Sequence, residues 1–446
     1  MVIIRTKTFK GGEQLKRDIE HKLIKWKAQR NRKPLILQGA RQVGKTWSLN
    51  KFGEDEFQNT VYINFDNNLE AKRIFDNGNN AMQFKTLIEL YSGQTINPAS
   101  TLLILDEIQE CPKAITSLKY FCEQMPQLCI AAAGSLLGLT IHEGTGFPVG
   151  KVDMLPLYPL SFLEFLDACG NEQLRTLIEE ADFNAIEVFA DRLENLLKQY
   201  YFVGGMPEAV NNFALSNNYE SVRTVQQNIL NAYRLDATKH LASSDTEHIL
   251  AVWDSIPAHL SKENKKFVFR NIATGARARD YKSGITWLNQ AKITHSINRV
   301  SKPGVPLSAY KDASAFKLFL NDVGLLGAMA GLDKKTLIEG NSIFTEFKGS
   351  LTEQYVCQQI FSQFNITPYY WSANNSKGEI DFLVQDKGEI YAIEVKAQQN
   401  LKSKSLAAFN KRYSNIHSVR LSLANYKSQG WVKNVPLYTI SSMFDG

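Results

Sequence analysis

Apolar residues in the first third of the chain come in short unbroken runs: "PLIL" at 34–37, "TVYINFD" at 60–66, "TLLILD" at 101–106 and "LCIAAAGS" at 128–135. Runs of this length without alternation predict strands buried on both faces, as in a parallel sheet covered by helices. Further along, the pattern changes. Over 266–326 it predicts a short helix, a turn, a longer helix and a hairpin-like pair around "SKPGVP", with Tyr281, Ile285, Leu288 and Ala291 near one helical face. The last hundred residues open with "GSLTEQYVCQQIFSQF" (349–364), read as an amphipathic helix anchored by Tyr355, Ile360 and Phe361. "ITPYYWSAN" follows, then "GEIDFLVQDKGEIYAIEVKAQ" (378–398), two strands about "QDKG", and "SLAAFNKRY", a further helix. In the second of those strands Tyr391, Ile393 and Val395 share one face, and Ala392, Glu394 and Lys396 share the other.

With 446 residues, the chain is long enough for two to four domains. Its 44% apolar content is that of a globular protein. The best membrane candidate, "LCIAAAGSLLGLTI", falls short of the roughly 20 apolar residues a span needs. The N-terminal "MVIIRTKTFKGGEQLKRD" has no apolar signal core, so a cytoplasmic protein without a membrane partner is expected. The five cysteines, at 111, 122, 129, 169 and 357, make no CxxC pair and read as free thiols in a reducing compartment. The net charge of +6 is unevenly spread: ten basic against two acidic residues between Ser261 and Pro303, and eight against two from Glu394 onward. Two basic blocks point to an anionic partner, DNA first among them.

"KPLILQGARQVGKTWSLNKF" sets GxxxxGK[ST] between a strand and a helix start. Glycines let successive N–H groups turn toward phosphate oxygens, Lys45 reaches the terminal phosphates and Thr46 offers a hydroxyl to Mg2+. Gly39, Gln42, Val43, Gly44, Lys45, Thr46 and Trp47 are therefore expected to bind ATP. Sixty residues on, the strand "TLLILD" ends in Asp106-Glu107. Asp106 would hold the magnesium through water and Glu107 would polarise the attacking water, with Lys45 completing the catalytic set. Ser135, at the tip of the next strand, suits a sensor of the terminal phosphate.

Together, "LILQGARQVGKT", "LLILDEIQECP", "AAAGSLL", "VGKVDMLPLYPLSFLEFL" and "YYFVGGMPEAV" resemble the AAA+-like ATPases of bacteria and archaea that carry a C-terminal nuclease-like domain. The resemblance runs over nearly the whole chain. It implies an ATPase core over 1–157, a helical lid over 158–240, and Gly205-Met206-Pro207 lying over the nucleotide. Where that family usually has Gly-Arg this chain has Gly150-Lys151, so no arginine finger is assigned. Self-association is implied by the resemblance alone.

Residues 241–335 resemble a winged helix-turn-helix, with Arg277, Arg279 and Lys282 available to DNA. Residues 336–446 resemble the PD-(D/E)XK nuclease fold: Asp381, twelve intervening residues, then Glu394-Val395-Lys396. Glu353 matches the carboxylate that fold often takes from its first helix. Hydrolysis of a phosphodiester needs carboxylates converging on a cation, which names Glu353, Asp381 and Glu394 as metal ligands. Lys396 shares the face of Glu394 and would position water or stabilise charge. Lys402 and Lys404 would grip a DNA backbone. The fold class expected is thus α/β: a P-loop NTPase parallel sheet with helical lid, a winged helix-turn-helix and a C-terminal α/β PD-(D/E)XK-like domain. The function expected is an ATPase coupling nucleotide state to DNA binding and metal-dependent cleavage. The alternative is an ATP-driven switch or DNA-binding regulator whose nuclease-like domain is silent.

Overall fold

The computed structural model describes residues 15–135, 146–239, 243–262, 265–336, 345–373, 378–399 and 402–444. The start of the N-terminal stretch and the tail of the apolar run, residues 136–141, lie outside them. The four apolar runs become β1 (Leu35–Gln38), β2 (Asn59–Asn64), β3 (Thr101–Asp106) and β4 (Cys129–Gly134), joined by β5 (Asp153–Pro156). These form one parallel sheet in the order β2-β3-β4-β1-β5. Both β3 and β4 are buried at every position, which is why neither alternates. No apolar run announces β5, because it is an edge strand and only partly covered. The register sets Gln38 beside Gly134 and Asn64 beside Asp106, so the turn after β1, Asp106 and Ser135 share the carboxyl edge of the sheet.

Helix α1 (Lys45–Glu56) leaves β1 through the glycine turn. A second layer of helices follows: α2 (Phe162–Ala168), α3 (Ala190–Val203), α4 (Pro207–Ser216), α5 (Tyr219–Lys239), α6 (Ser243–Leu260) and α7 (Ala278–Gln290). Helix α2 opens with a reciprocal cap: Glu164 N donates to the Ser161 hydroxyl at 3.2 Å, and Ser161 N donates to the Glu164 carboxylate at 2.8 Å. Pro207 starts α4, where its missing N–H costs nothing. The predicted face of α7 is present: Ile285, Leu288 and Ala291 are buried, while Arg277, Arg279 and Lys282 are exposed.

The hairpin after α7, β6 (Thr294–Val300) with β7 (Lys311–Leu320), forms as expected but does not stand free. Strand β6 also pairs with β8 (Tyr369–Ser372), through Arg299 and Tyr370. The hairpin is therefore one end of an eight-stranded sheet, β12-β13-β11-β10-β9-β8-β6-β7, that runs across residue 335. The physical reason is that β7 ends in "FKLFL", whose last four residues are buried and need a covered sheet to pack in.

Helices α8 (Val323–Met329) and α9 (Thr345–Gln359) lead into the remaining strands, β9 (Glu379–Asp386), β10 (Glu389–Val395), β11 (His417–Ser422), β12 (Lys427–Ser428) and β13 (Lys433–Pro436), with α10 (Lys404–Arg412) between β10 and β11. Lys387 and Gly388, at φ 46° and 88°, make the tight β9–β10 turn. The face of β10 carrying Ala392 and Glu394 is buried rather than wet, Ala392 packing in one cluster with Leu406 and Phe409 of α10. Helix α9 is not amphipathic: Ser350 to Ile360 are buried on every side. Its polar residues act as interior hydrogen bonders; the Gln354 amide accepts from Leu320 N at 3.0 Å and donates to Leu320 O at 2.6 Å, at the end of β7. Among the described residues no helix is long and apolar enough to cross a membrane.

Candidate nucleotide site and carboxylate pocket

The turn after β1 is held by left-handed backbone at Gln42 (φ 66°) and Gly44 (φ 94°). A Cβ on Gly39 would stand 2.3 Å from Leu157 O, so the close approach of the chain there requires glycine. Lys45 is buried and donates to Gly39 O at 3.0 Å and Ala40 O at 2.8 Å. Burial lowers its pKa to about 8 even though Glu107 and Asp106 pull it upward. Thr46 Oγ1 donates to Asp106 Oδ2 at 2.8 Å, and the same oxygen accepts from Tyr62 Oη at 2.7 Å. A buried carboxylate beside a hydroxyl suits a hard divalent ion, so Thr46 and Asp106 fit Mg2+. Glu107 sits at φ 49°, with its carboxylate accepting from Gln109 Nε2 at 2.7 Å. Ser135 follows β4 on the same edge, and Trp47 lies half-buried in the first turn of α1.

Three further groups brace the loop. Arg17, 4% exposed, donates to Val43 O at 3.0 Å, to Glu164 Oε1 at 2.8 Å and to Tyr158 O at 2.8 Å. Arg41 pairs with Asp236 of α5, and Tyr233 Oη donates to Arg41 O at 2.9 Å. Pro207 comes close to the loop, its Cγ 3.5 Å from where a Gly44 Cβ would sit. Gly205 is packed tighter still: a Cβ there would meet Leu160 O at 2.1 Å. Sequence reasoning gathers the loop, Asp106 and the Gly205–Pro207 segment on one side of the sheet, but not Arg17, Tyr62 or Asp236. No local motif marks those three; each is separated from its partner by 44 to 195 residues. Lys151, at the Gly-Lys position, pairs with Glu123 at 2.9 Å.

From Gly205 a hydrogen-bond path runs inward. Gly205 N donates to Asp322 Oδ2 at 2.6 Å, and Gln358 Nε2 of α9 donates to that oxygen at 3.1 Å and to Tyr200 Oη at 2.9 Å. Phe162 N donates to Gln359 Oε1 at 2.9 Å. Asp322 is buried, which raises its pKa to about 6 against the pull of the N–H groups it accepts from.

Further back along α9, Glu353 in the middle of the helix borders the carboxylate pocket. Asp381 of β9 and Glu394 of β10 stand side by side, one pair beyond Phe382 and Ile393 in the antiparallel register. Asp381 Oδ2 accepts from Val395 N at 2.8 Å; burial, with Glu353 adding to it, raises its pKa to about 7. Glu394 Oε1 is 2.8 Å from Lys396 Nζ, as the shared face predicts. Two residues that sequence reasoning did not single out stand among these carboxylates. Lys265 pairs with Glu353 Oε1, and Lys317 of β7 lies 2.5 Å from Glu379 Oε1 and 3.7 Å from Glu353 Oε2. Burial works against the Glu353 carboxylate, but Lys265 and Lys317 hold its pKa below the ordinary range. Lys317 is held above the ordinary lysine value by Glu379, Glu353 and Asp381 in spite of its burial. Among the described residues no group of three or more His, Cys, Asp or Glu side chains is gathered to hold a metal ion. Glu353, Asp381 and Glu394 each have one oxygen on an ammonium or a backbone N–H, while Glu353 Oε2 and Glu394 Oε2 are buried without a hydrogen bond.

Residues 31–166 match a family model described as an AAA domain. Residues 194–336 and 348–440 match two models, each described as a domain of unknown function (DUF8612 and DUF4143). No curated protein matches the chain. Among solved structures it is similar to the Aeropyrum pernix ORC1 protein in complex with DNA, at 14% identity over 70% of this chain and 90% of that one, TM-score 0.29. It is also similar to Cdc6p from Pyrobaculum aerophilum (12%, 73% and 97%, TM-score 0.27) and to Drosophila ORC bound to DNA (11%, 70% and 84%, TM-score 0.27). All three TM-scores lie far below 0.5; the AAA domain match over residues 31–166 and the loop geometry around Lys45 support an AAA+-like P-loop ATPase domain there.

Proposed function

We propose that the chain is a cytoplasmic ATP-driven switch that binds DNA and sets the state of its C-terminal domain by nucleotide. The observation that carries this reading is the path from the loop-side Gly205 through Asp322 to Gln358 of α9, the helix whose Glu353 enters the carboxylate pocket. ATP would lie along Gly39 to Trp47, with Gly205 and Pro207 above it and Ser135 near the terminal phosphate. Lys45 would leave the carbonyls of Gly39 and Ala40 for phosphate oxygens, and Glu107 would orient the attacking water. Mg2+, held by Thr46 and Asp106, would neutralise phosphate charge. Movement of the 203–216 segment on hydrolysis would reach α9 through Asp322. The working units are the ATPase core (1–157), the lid (158–240), a winged-helix-like module (241–335) and a nuclease-like domain (336–446). DNA would meet the exposed Arg277, Arg279 and Lys282 and, further on, Lys402 and Lys404.

A second reading, phosphodiester cleavage by the C-terminal domain, is favoured by one observation: Asp381 and Glu394 lie on adjacent strands, with Lys396 just past the end of β10 and paired with Glu394. The two are separated by incubating purified protein with linear, circular and single-stranded DNA and with RNA, with Mg2+ or Mn2+, with and without ATP. The switch predicts ATP hydrolysis that Lys45→Ala abolishes and DNA affinity that changes with nucleotide, without cleavage. Cleavage lost in Lys396→Ala selects the second reading. DNA affinity indifferent to nucleotide in a hydrolysing protein overturns the switch.

A further inference from the structure

The pocket around Glu353 is filled, and what fills it comes from elsewhere in the chain. Lys317 is 1% exposed on β7, and Lys265 is 9% exposed in the segment after α6. Buried ammonium groups persist only where anions replace water, and each of these points at a carboxylate. Four carboxylates, Glu353, Glu379, Asp381 and Glu394, face three ammoniums, Lys265, Lys317 and Lys396. The two lysines are also mechanically joined, since Phe267 N donates to Phe316 O at 2.8 Å beside Lys317.

We propose that Lys265 and Lys317 are built-in cations seated where a divalent ion would be held, so that the hairpin module locks the carboxylate pocket against metal. The proposal goes beyond the switch reading and does not depend on ATP: it requires only the geometry of the pocket. A divalent ion entering here meets two ammoniums at close range, and one oxygen each of Glu353, Glu394 and Asp381 is already engaged. Opening the pocket therefore means withdrawing β7 and the 265–267 segment together, not merely raising the metal concentration. A purely structural ion-pair cluster would share the contacts but would not be a latent metal site once its lysines were gone.

The test is Mn2+ binding to nucleotide-free full-length protein, followed by the electron paramagnetic resonance signal of free Mn2+. It compares the wild type and Lys265→Met/Lys317→Met, each with and without Asp381→Asn. Wild type should show no Mn2+ site that Asp381→Asn removes. The double lysine variant should gain one, at least tenfold tighter than any such site in wild type. A site sensitive to Asp381→Asn in wild type overturns the lock, as does a folded double variant with no gain. Should the double variant not fold, Lys265→Gln/Lys317→Gln removes both charges while keeping hydrogen-bonding capacity. It is expected to gain the same site, and its failure to do so in the folded state overturns the proposal equally.

Discussion

Lys45 spends its hydrogen bonds on two carbonyls, and burial brings its pKa to about 8. A nucleotide phosphate requires the charged form, so above pH 8 binding must also supply a proton. ATP affinity, measured by titration calorimetry between pH 7 and 9.5, is therefore expected to fall by about tenfold per pH unit above 8. Asp322 makes the opposite kind of statement. Its pKa rises from 3.8 to about 6 on burial, so the folded state holds its proton where the unfolded chain has released it. The stability this contributes is complete below pH 4 and is lost as pH rises toward 6 and above, amounting to about 3 kcal/mol. Urea unfolding of wild type and Asp322→Asn from pH 4 to 7 should show that difference in slope, and parallel profiles would refute it. The loop residues were legible in the sequence because glycines, lysine and threonine act within eight consecutive positions. Lys265 and Lys317 were not, since each meets Glu353 only after the chain has folded back.

At the scale of elements, α9 departs most from its pattern. A helix read by apolar spacing alone was expected to show one wet face, whereas Gln354, Gln358 and Gln359 are buried because strand and helix ends on both sides offer them partners. Buried strands, by contrast, were legible, since an unbroken apolar run has few other stable homes. Gln358 bonds to Val323 N, Asp322 and Tyr200, so Gln358→Leu leaves buried polar groups unmatched and should cost about 1–3 kcal/mol in a denaturant melt. In the same variant ATP hydrolysis should persist while the effect of nucleotide on DNA affinity disappears. Gly205→Ala drives a methyl into the Leu160 carbonyl, which backbone cannot yield cheaply. A loss of about 2–4 kcal/mol is expected, read as a lower Tm.

For the whole molecule, uneven charge is the feature that reaches furthest. If DNA lies along the exposed face of α7, replacing Arg277, Arg279 and Lys282 by Glu should flatten the dependence of log Kd on log salt by about three contacts' worth, near 0.9 each. A slope unchanged by the triple substitution would place the DNA elsewhere. Topology was the least legible level, because nothing in "THSINRV" or "PYYWS" says that these strands will lie side by side. That single junction decides how the chain can be divided. Cut at residue 336, the C-terminal quarter would lose the β6 neighbour of β8 and both ammoniums that balance Glu353, leaving a sticky edge and stranded charge. Gel filtration should find such a fragment aggregated or paired edge to edge, and one beginning at 243 more soluble. The unit of inheritance here is larger than the unit that the motif marks: a recombination event that transplanted the carboxylates without the hairpin would deliver a broken cassette.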